Sequence, residues 1–349
     1  MREIKSRIIP RVRVIVCVMA VLFMLAIAVT TMLVFKNQIE DVVSQMDVLT
    51  DREYDSYYVM IVGDQSSSFW NSVYQSAKDA GEKENALVEF LGNELASVFS
   101  KEELMQVAIA SKVDGIFLEA DESEVLTTLI NEATMQGIPV ITVLGDNTGS
   151  NRLSYVGVNN YNLGKMYGKL VLELSKEKES KVLVLMSNNT EDLGQNILYT
   201  SIYETLDTVK SSNTIHMSSI KIEEESAFAA EETIRDIFVT EGSLPDILIC
   251  LNELNTTCAY QAVVDYNKVG KVNILGYYDS DTILKAVERN VIYSTIKVST
   301  EQIGRYCIEA MKEYQMIGHA NEYYNVDTAT ITLENLKEFI KGGGDEKEE

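Results

Sequence analysis

The stretch YYVMIVGDQSSSFWNSVYQSAKDAGEK, residues 57–83, joins an apolar segment to an amphipathic one through a polar, serine-rich turn. Six consecutive apolar residues, 57–62, are typical of a strand buried on both faces of a parallel sheet. Small molecules bind beyond the carboxyl ends of such strands, so the turn is expected to face a ligand. Its candidate contacts are Asp64, Ser66, Ser67, Phe69 and Trp70. The alternative hypothesis makes Phe69 and Trp70 core residues that cover the sheet.

Apolar and amphipathic segments alternate from this stretch to residue 341, which predicts βαβ units and mostly parallel sheets in two doubly wound lobes. The predicted strands lie near residues 57–62, 86–91, 115–118, 139–143, 154–158, 181–186, 214–222, 246–250, 272–277, 294–297 and 324–332. A helix is predicted between most neighbouring strands, for example near residues 162–175 and 256–267. The glycine-rich, charged end, 342–349, is predicted to be a disordered tail.

The N-terminal part of the chain predicts a membrane anchor. Residues 14–35 contain no charge, and a helix at about 1.5 Å per residue would cross a bilayer over that length. Basic residues in 1–13 place the N-terminus in the cytoplasm, so we predict a single-pass protein of the cell membrane whose binding domain lies outside the cytoplasm. A cleaved signal peptide is the alternative, although signal cores run to only about 7 to 15 residues. Residues 36–55 predict an amphipathic stalk, acting either as a spacer or as a surface for a partner.

Charge and motifs exclude several classes of protein. The formal net charge of −23 would repel phosphate backbones, which argues against nucleic acid as a partner. The two histidines are far apart in sequence, and no phosphate-binding, hydrolase or zinc motif occurs, so an enzyme, a cofactor and a metal site are not expected. Cys250, Cys258 and Cys307 predict buried thiols, with a Cys250–Cys258 bridge as the alternative. Gly164 and Gly168 have the spacing of small residues that allow a helix to pack closely against a sheet.

Polar side chains recur where predicted strands end, and would face one crevice. Asparagine and aspartate supply the donors and acceptors that a ring of hydroxyls requires, and aromatic faces stack on the C–H surface of a sugar. The alternative is that these residues cap helices and make turns. The members of this polar set are Gly145, Asp146, Asn147, Asn159, Asn160, Ser187, Asn188, Asn189, Thr190, Asn252, Glu253, Asn255, Tyr278, Asp279 and Ser280.

Residues 57–341 resemble the periplasmic sugar-binding proteins of the ribose-binding type. The segments that carry the resemblance are SSSFW, VDGIFLEA, GIPVITV, YVGVNNYNLGKMYG, PDILICLNE, ILGYYDSDTILKAV and STIKVSTEQIG. The resemblance implies an α/β protein of the type I binding-protein fold, with two parallel-sheet lobes joined by three hinge strands near Val158, Val298 and Val326. It divides the chain into an N-terminal lobe of residues 56–158 and 299–326 and a C-terminal lobe of residues 159–298 and 327–341.

The resemblance implies ligand contacts at Ser67, Phe69, Trp70, Asn252 and Tyr199. Together with the polar set, the predicted ligand-binding residues are Asp64, Ser67, Phe69, Trp70, Asp146, Asn160, Asn188, Tyr199, Asn252, Tyr278 and Asp279. The chain departs from the ribose binders where they place an Asp-Arg pair, because Leu144 and Gly145 stand there, and Val298 replaces the glutamine of the third hinge region. These departures predict a sugar other than ribose, or another small polar solute.

The anchor bears on which partner the resemblance implies. Membrane-anchored members of this group work beside a sensor histidine kinase, so a signalling role is predicted. The alternatives are the substrate-binding component of an ABC sugar transporter, which would meet a permease, and, less favoured, an anchored enzyme. Regulators of the lac-repressor type share the fold but carry a DNA-binding helix-turn-helix where this chain has its apolar segment, which excludes that class.

Overall fold

The computed structural model describes residues 54–93, 99–175, 179–187, 193–208, 214–222, 227–240, 242 and 244–342. The predicted cytoplasmic end 1–13, the membrane segment 14–35 and most of the stalk 36–55 lie outside these residues. No helix in the described ranges has both the length and the apolar character needed to span a bilayer. The chain divides into one unit of Met1–Asp55 and another of Ser56–Glu349, and the α/β fold belongs to the second.

The first sheet contains six parallel strands. They are β1 (Ser56–Ile61), β2 (Ala86–Phe90), β3 (Gly115–Leu118), β4 (Val140–Val143), β5 (Ser154–Gly157) and β11 (Tyr323–Asn325), and their order across the sheet is β11-β5-β4-β3-β1-β2. Alternate residues of β1 face two different cores, since Tyr58 and Met60 lie in one and Val59 and Ile61 in the other. Burial on both faces explains the unbroken apolar run in the sequence.

The second sheet also contains six strands. They are β6 (Ser180–Ser187), β7 (Ile215–Ile222), β8 (Ile247–Cys250), β9 (Asn273–Tyr277), β10 (Ile292–Val298) and β12 (Thr328–Thr332), in the order β12-β10-β9-β8-β6-β7. The strand β12 is antiparallel to β10, and the other pairs are parallel. The expectation of two parallel-sheet lobes is therefore confirmed, with one antiparallel strand at the edge of the second sheet.

The chain passes from one sheet to the other three times, after β5, after β10 and between β11 and β12. The sequence predicted a single strand over 324–332, and that prediction is wrong. The break lies at Val326 and Asp327, where the Val326 amide donates to the Gly157 carbonyl at 2.9 Å and the Asp327 carbonyl accepts from the Ser299 amide at 3.2 Å. These bonds hold the three crossings side by side.

Ten helices are described in the second unit. They are α1 (Ser68–Lys83), α2 (Lys101–Ser111), α3 (Glu124–Met135), α4 (Asn160–Leu174), α5 (Leu193–Thr208), α6 (Ala227–Val239), α7 (Glu253–Asp265), α8 (Asp281–Glu288), α9 (Thr300–Ile317) and α10 (Leu336–Gly342). The first lobe consists of the first sheet with α1, α2, α3 and α9, and the second lobe contains the rest. The predicted tail, 342–349, lies outside the described residues except for Gly342, which ends α10.

Side-chain caps decide where several of these helices begin. Asn159 accepts a bond from the Asn162 amide, so α4 begins two residues before its predicted start. Asn252 accepts from the Asn255 amide in the same way and begins α7 at Glu253 instead of near Thr256. The alternative hypothesis for the polar set, in which its members cap helices, therefore describes the local geometry of these asparagines.

Close packing in the second lobe depends on two glycines of α4. A Cβ on Gly164 would lie 2.5 Å from the Leu198 carbonyl oxygen, and one on Gly168 would lie 2.6 Å from Thr205 Cβ, both on α5. The close approach is therefore between two helices, whereas the sequence predicted a helix against a sheet.

Cys250, Cys258 and Cys307 are free and buried, so the Cys250–Cys258 bridge does not form. Burial raises the pKa of the Cys258 thiol to about 11.

A candidate crevice between the two lobes

The turn after β1 is shaped by short-range hydrogen bonds. Asp64 is exposed, and its Oδ1 accepts from the amide and the hydroxyl of Ser66 at 3.0 and 2.6 Å. The Gly63 amide donates to Glu119 Oε2 at 2.7 Å, which ties the turn to the end of β3. Ser67 caps α1 by accepting from the Trp70 amide at 3.4 Å. The turn therefore presents the N-terminal end of α1 at the carboxyl edge of the first sheet.

Glu253 of the second lobe reaches this end of α1. Its Oε2 accepts from Ser67 Oγ at 3.0 Å and from the Phe69 amide at 3.2 Å, and its Oε1 accepts from Ser68 Oγ. Glu253 is the first residue of α7, directly after the end of β8 and the cap Asn252. One carboxylate thus joins the carboxyl edges of the two sheets. Sequence reasoning placed Glu253 in the polar set but not among the ligand contacts. No signal in the sequence indicated that Glu253 would bind the end of α1.

Aromatic rings lie beside that carboxylate. The Phe69 ring meets the Tyr278 ring edge to face at a centroid distance of 4.9 Å, and it meets the Trp70 ring at 5.3 Å. The Tyr278 hydroxyl donates to Ser72 Oγ at 3.1 Å, a second hydrogen bond between the lobes. Phe69, Trp70 and Tyr278 are 5%, 6% and 7% exposed. The hypothesis that Phe69 is a core residue is therefore confirmed, and its ring also faces the other lobe, while its contact with a ligand stays a prediction.

Tyr278 occupies an unusual backbone position at the end of β9. Its φ is +76°, and its amide donates to the Ile296 carbonyl at 2.7 Å. Burial raises the pKa of its phenol, the nearby negative charges of Asp279 and Glu253 add to that increase, and the bond with Ser72 opposes it. Asp279 itself forms an ion pair with Lys297 Nζ at 2.8 Å, and its side chain is 15% exposed. The negative charges of Asp279 and Glu253 therefore both act on the Tyr278 phenol.

Asp146 has a different environment from Glu253. Its carboxylate accepts from Thr142 Oγ1 at 2.6 Å, from the Asn147 amide at 2.9 Å, and from Arg152 Nη2 at 2.7 Å and Nε. All four donors lie within residues 142–152, at the end of β4 and in the turn that follows it. Arg152 was not singled out from the sequence, and its position six residues after Asp146 on a loop gave no periodic signal.

The remaining predicted ligand contacts are spread over the second lobe. Asn160 is the first residue of α4 and is half-buried, as is Tyr199 on α5. Asn252 has its side-chain oxygen on the Asn255 amide at 2.7 Å. Asn188 lies outside the described residues. The described contacts thus bring Ser67, Phe69 and Tyr278 together, with Glu253 and Ser72 added, while Asp146 is bonded within its own lobe.

An ion pair supports the first-lobe side of the crevice. Lys101 Nζ lies 3.0 Å from Asp121 Oδ2, just beyond the end of β3. Burial favours a higher pKa for the Asp121 carboxyl, but the Lys101 ammonium and the hydrogen bonds from Ser123 outweigh it and hold the pKa below its usual range. The Asp121 carbonyl also accepts from Asn147 Nδ2 at 2.7 Å. The turns after β3 and β4 are therefore one connected structure.

Comparison with known proteins identifies the family. Residues 58–319 match the family model described as a periplasmic binding protein domain. The chain belongs to this family. No curated protein sequence matches it significantly. The family is extracytoplasmic.

Solved structures show the same fold. Among them is GanP, a glucose-galactose binding protein from Geobacillus stearothermophilus, at 21% identity and a TM-score of 0.71, covering 81% of this chain and 99% of that one. A chain of the XylFII-LytSN complex has 23% identity and a TM-score of 0.68, with coverage of 81% and 99%. An ABC transporter periplasmic solute binding protein from Actinobacillus succinogenes with bound D-allose has 19% identity and a TM-score of 0.67, with coverage of 81% and 100%. At such identities the similarity shows the type I fold with two parallel-sheet lobes.

Proposed function

We propose that this protein is an extracytoplasmic solute-binding protein whose lobes close on a sugar or a similar small polar solute. The observation that carries this proposal is the meeting of Ser67, Phe69, Glu253 and Tyr278 between the carboxyl edges of the two sheets. Small ligands of open α/β sheets bind at that edge. The solved structures that share the fold include a protein named for glucose-galactose binding and one with bound D-allose, which supports a sugar as the ligand class.

The side chains at this edge suit a polyhydroxy compound. Carboxylate oxygens accept from ligand hydroxyls, serine hydroxyls both donate and accept, and an aromatic ring packs on the C–H face of a sugar. The residues proposed to contact the ligand remain Asp64, Ser67, Phe69, Trp70, Asp146, Asn160, Asn188, Tyr199, Asn252, Tyr278 and Asp279. Since Phe69 and Tyr278 are buried against each other, a ligand enters only when these two rings separate.

The three crossings between the sheets are proposed to be the hinges of this motion. On this proposal residues 56–158 and 299–326 move as one lobe and residues 159–298 and 327–341 as the other. The crossings are short and lie side by side, so small changes in their backbone angles would separate the lobes without disturbing either core. The ligand shifts the equilibrium to the closed form because it binds that form more tightly than the open one.

We further propose that residues 14–35 anchor the protein in the membrane and that the closed lobes are recognised by a sensor histidine kinase. The apolar segment and the fold shared with a chain of the XylFII-LytSN complex support this role. The second candidate is the substrate-binding component of an ABC transporter. The fold shared with an ABC transporter solute binding protein supports this role equally.

N-terminal sequencing of the protein from membranes distinguishes the anchor from a cleaved signal peptide, which would leave a mature N-terminus near Val29. Co-purification from crosslinked membranes distinguishes a kinase from a permease.

Ligand binding can be tested with the full-length chain in detergent. Trp70 is the single tryptophan, so its fluorescence reports thermal unfolding. We expect D-glucose, D-galactose, D-xylose, L-arabinose or D-allose to raise the melting temperature, since a ligand at 100 times its dissociation constant stabilises the native state by about 2.7 kcal/mol. If neither these sugars nor the corresponding sugar acids raise the melting temperature, the result contradicts a sugar as the ligand.

The role of Phe69 in binding can be tested with a matched pair of variants. Phe69→Leu keeps an apolar side chain but removes the ring that faces Tyr278, and we expect it to weaken binding of the sugar found by the screen by about tenfold, or roughly 1.4 kcal/mol. Phe90→Leu is the control, because Phe90 is equally buried and packs on Tyr74 within the first lobe. Equal affinities in the two folded variants would contradict a ligand contact at Phe69.

A further inference from the structure

The N-terminal end of α1 receives its negative charge from the other lobe. A helix N-terminus carries about half a positive charge and several amides without a helical partner, so an acidic residue in the first turn stabilises it. The helices α2, α3, α7, α8 and α9 each have such a residue of their own. The first turns of α1, α4, α5 and α6 have none. For α1, Glu253 supplies the carboxylate, since it accepts from the Phe69 amide and from both serine hydroxyls.

This arrangement occupies the place where an anionic ligand would bind. An ionised carboxylate offers about four acceptor sites, and three of those on Glu253 are used by Ser67, Ser68 and Phe69. A ligand carboxylate or phosphate at the same place would lose these donors to Glu253 and would face its charge at close range. Two like charges at such close range repel each other, and they do so more strongly near a protein surface than in bulk water. A ligand hydroxyl avoids this cost and can donate to the remaining acceptor site.

We infer that Glu253 is a specificity-determining residue that fills the anion-accepting end of α1 and thereby restricts the crevice to uncharged polyhydroxy ligands. The inference rests on the proposed function, which it narrows from small polar solutes to neutral ones. Asp279, two residues beyond the end of β9, adds a second carboxylate on the second-lobe side, and Lys297 Nζ at 2.8 Å partly neutralises it. Sugar acids and phosphorylated sugars are excluded, while the corresponding neutral sugars are accepted.

The selectivity is tested by calorimetric titration of the full-length chain with matched ligands. The pairs are D-glucose with D-glucuronate and D-galactose with D-galacturonate, and the variants are Glu253→Gln and the control Glu122→Gln. Glu122 likewise accepts from a backbone amide and a hydroxyl, those of Thr148, but within the first lobe. We expect the wild type and Glu122→Gln to prefer the neutral sugar by at least about tenfold, and Glu253→Gln to lose most of that preference, in line with roughly 1.4 kcal/mol per tenfold. Equal binding of acid and neutral sugar by the wild type, or an unchanged ratio in Glu253→Gln, overturns the inference.

A second measurement decides the inference without any sugar. In Glu253→Ala the end of α1 lacks its carboxylate, so sodium acetate should bind there and raise the melting temperature above the value in sodium chloride of equal ionic strength. The wild type and Glu122→Ala should show no such difference. If acetate stabilises all three proteins alike, Glu253 does not fill an anion-accepting position and the inference fails. If acetate rescues Glu253→Ala while no sugar binds the wild type, the proposed sugar-binding function fails and the assignment of Glu253 stands.

Discussion

The turn between β4 and β5 and the start of α7 each place one acidic residue beyond the end of a strand, but they use it in opposite ways. Asp146 takes four donors from nearby residues of its own lobe, those of Thr142, Asn147 and Arg152. Glu253 takes three donors from residues 67–69 of the other lobe. The first carboxylate holds one lobe in shape, and the second joins two lobes. Position at a strand end therefore predicts where a side chain lies, and its bonding partners decide which role it has.

The strongest test of this contrast is Asp146→Ala. We expect the free energy of unfolding to fall by about 3 kcal/mol, because removing one partner of a largely buried ion pair leaves the Arg152 charge without its counterion and the Asn147 amide without this acceptor. Equilibrium urea unfolding measures the change. Asp64→Ala is the control, since Asp64 is exposed and its carboxylate accepts from Ser66, two residues away, and it should cost much less. Equal losses in the two variants would show that the bonds around Asp146 do not stabilise the lobe.

A weaker test uses the ion pair between Lys101 and Asp121 in the same part of the first lobe. The folded pKa of Asp121 is below its ordinary value of 3.8, so its contribution to stability is complete above that pH and is lost as the pH falls through the folded pKa. Lys101→Met should lower stability at neutral pH by about 1 to 2 kcal/mol and should remove this part of the acid loss. Urea unfolding from about pH 6 to about pH 3 compares the free energies of unfolding of the wild type and Lys101→Met. If the free energies of unfolding of the two proteins fall in parallel as the pH is lowered, Lys101 does not stabilise the ionised Asp121.

Much of the fold could be predicted from the sequence because its signals are local. The run 57–62 predicted a strand buried on both faces, and β1 occupies most of it. Capping residues such as Asn159 and Asn252 were recognisable by type. The division of 324–332 into two strands was not predictable from its pattern of residues, because it depends on bonds with Gly157 and Ser299 that are remote in sequence.

The candidate site was less predictable than the fold for the same reason. Glu253 and Ser68 are 185 residues apart, and no spacing rule relates them. Arg152 was missed because it lies on an irregular loop, where neither helical nor strand periodicity applies. Tyr278 was found through its place after β9, but its bond with Ser72 appears only when the two lobes are packed together.

A smaller effect is expected from a side chain that joins the lobes without a charge. Tyr278→Phe removes the hydroxyl that donates to Ser72 but keeps the ring against Phe69. We expect a loss of about 1 kcal/mol in the free energy of unfolding, the usual contribution of one neutral hydrogen bond. Tyr324→Phe provides the matched control, since its hydroxyl donates to Glu313 within the first lobe. Radius of gyration measured by X-ray scattering should increase only for Tyr278→Phe, and an increase for both variants would argue against a specific bond between lobes.

The smallest expected effect is the coupling between the two acidic residues themselves. If Asp146 acts only within its lobe and Glu253 only between lobes, they share no partner. The stability losses of Asp146→Asn and Glu253→Gln should then add in the double variant to within about 0.5 kcal/mol. By contrast, Glu253→Gln and Ser68→Ala remove the same hydrogen bond, and their combined loss should be smaller than the sum by more than about 0.5 kcal/mol. Urea unfolding of both double-mutant cycles measures the two couplings under one set of conditions. Strong coupling between Asp146 and Glu253 would mean that the turn after β4 also controls the contact between the lobes, and the division of roles between the two carboxylates would be wrong.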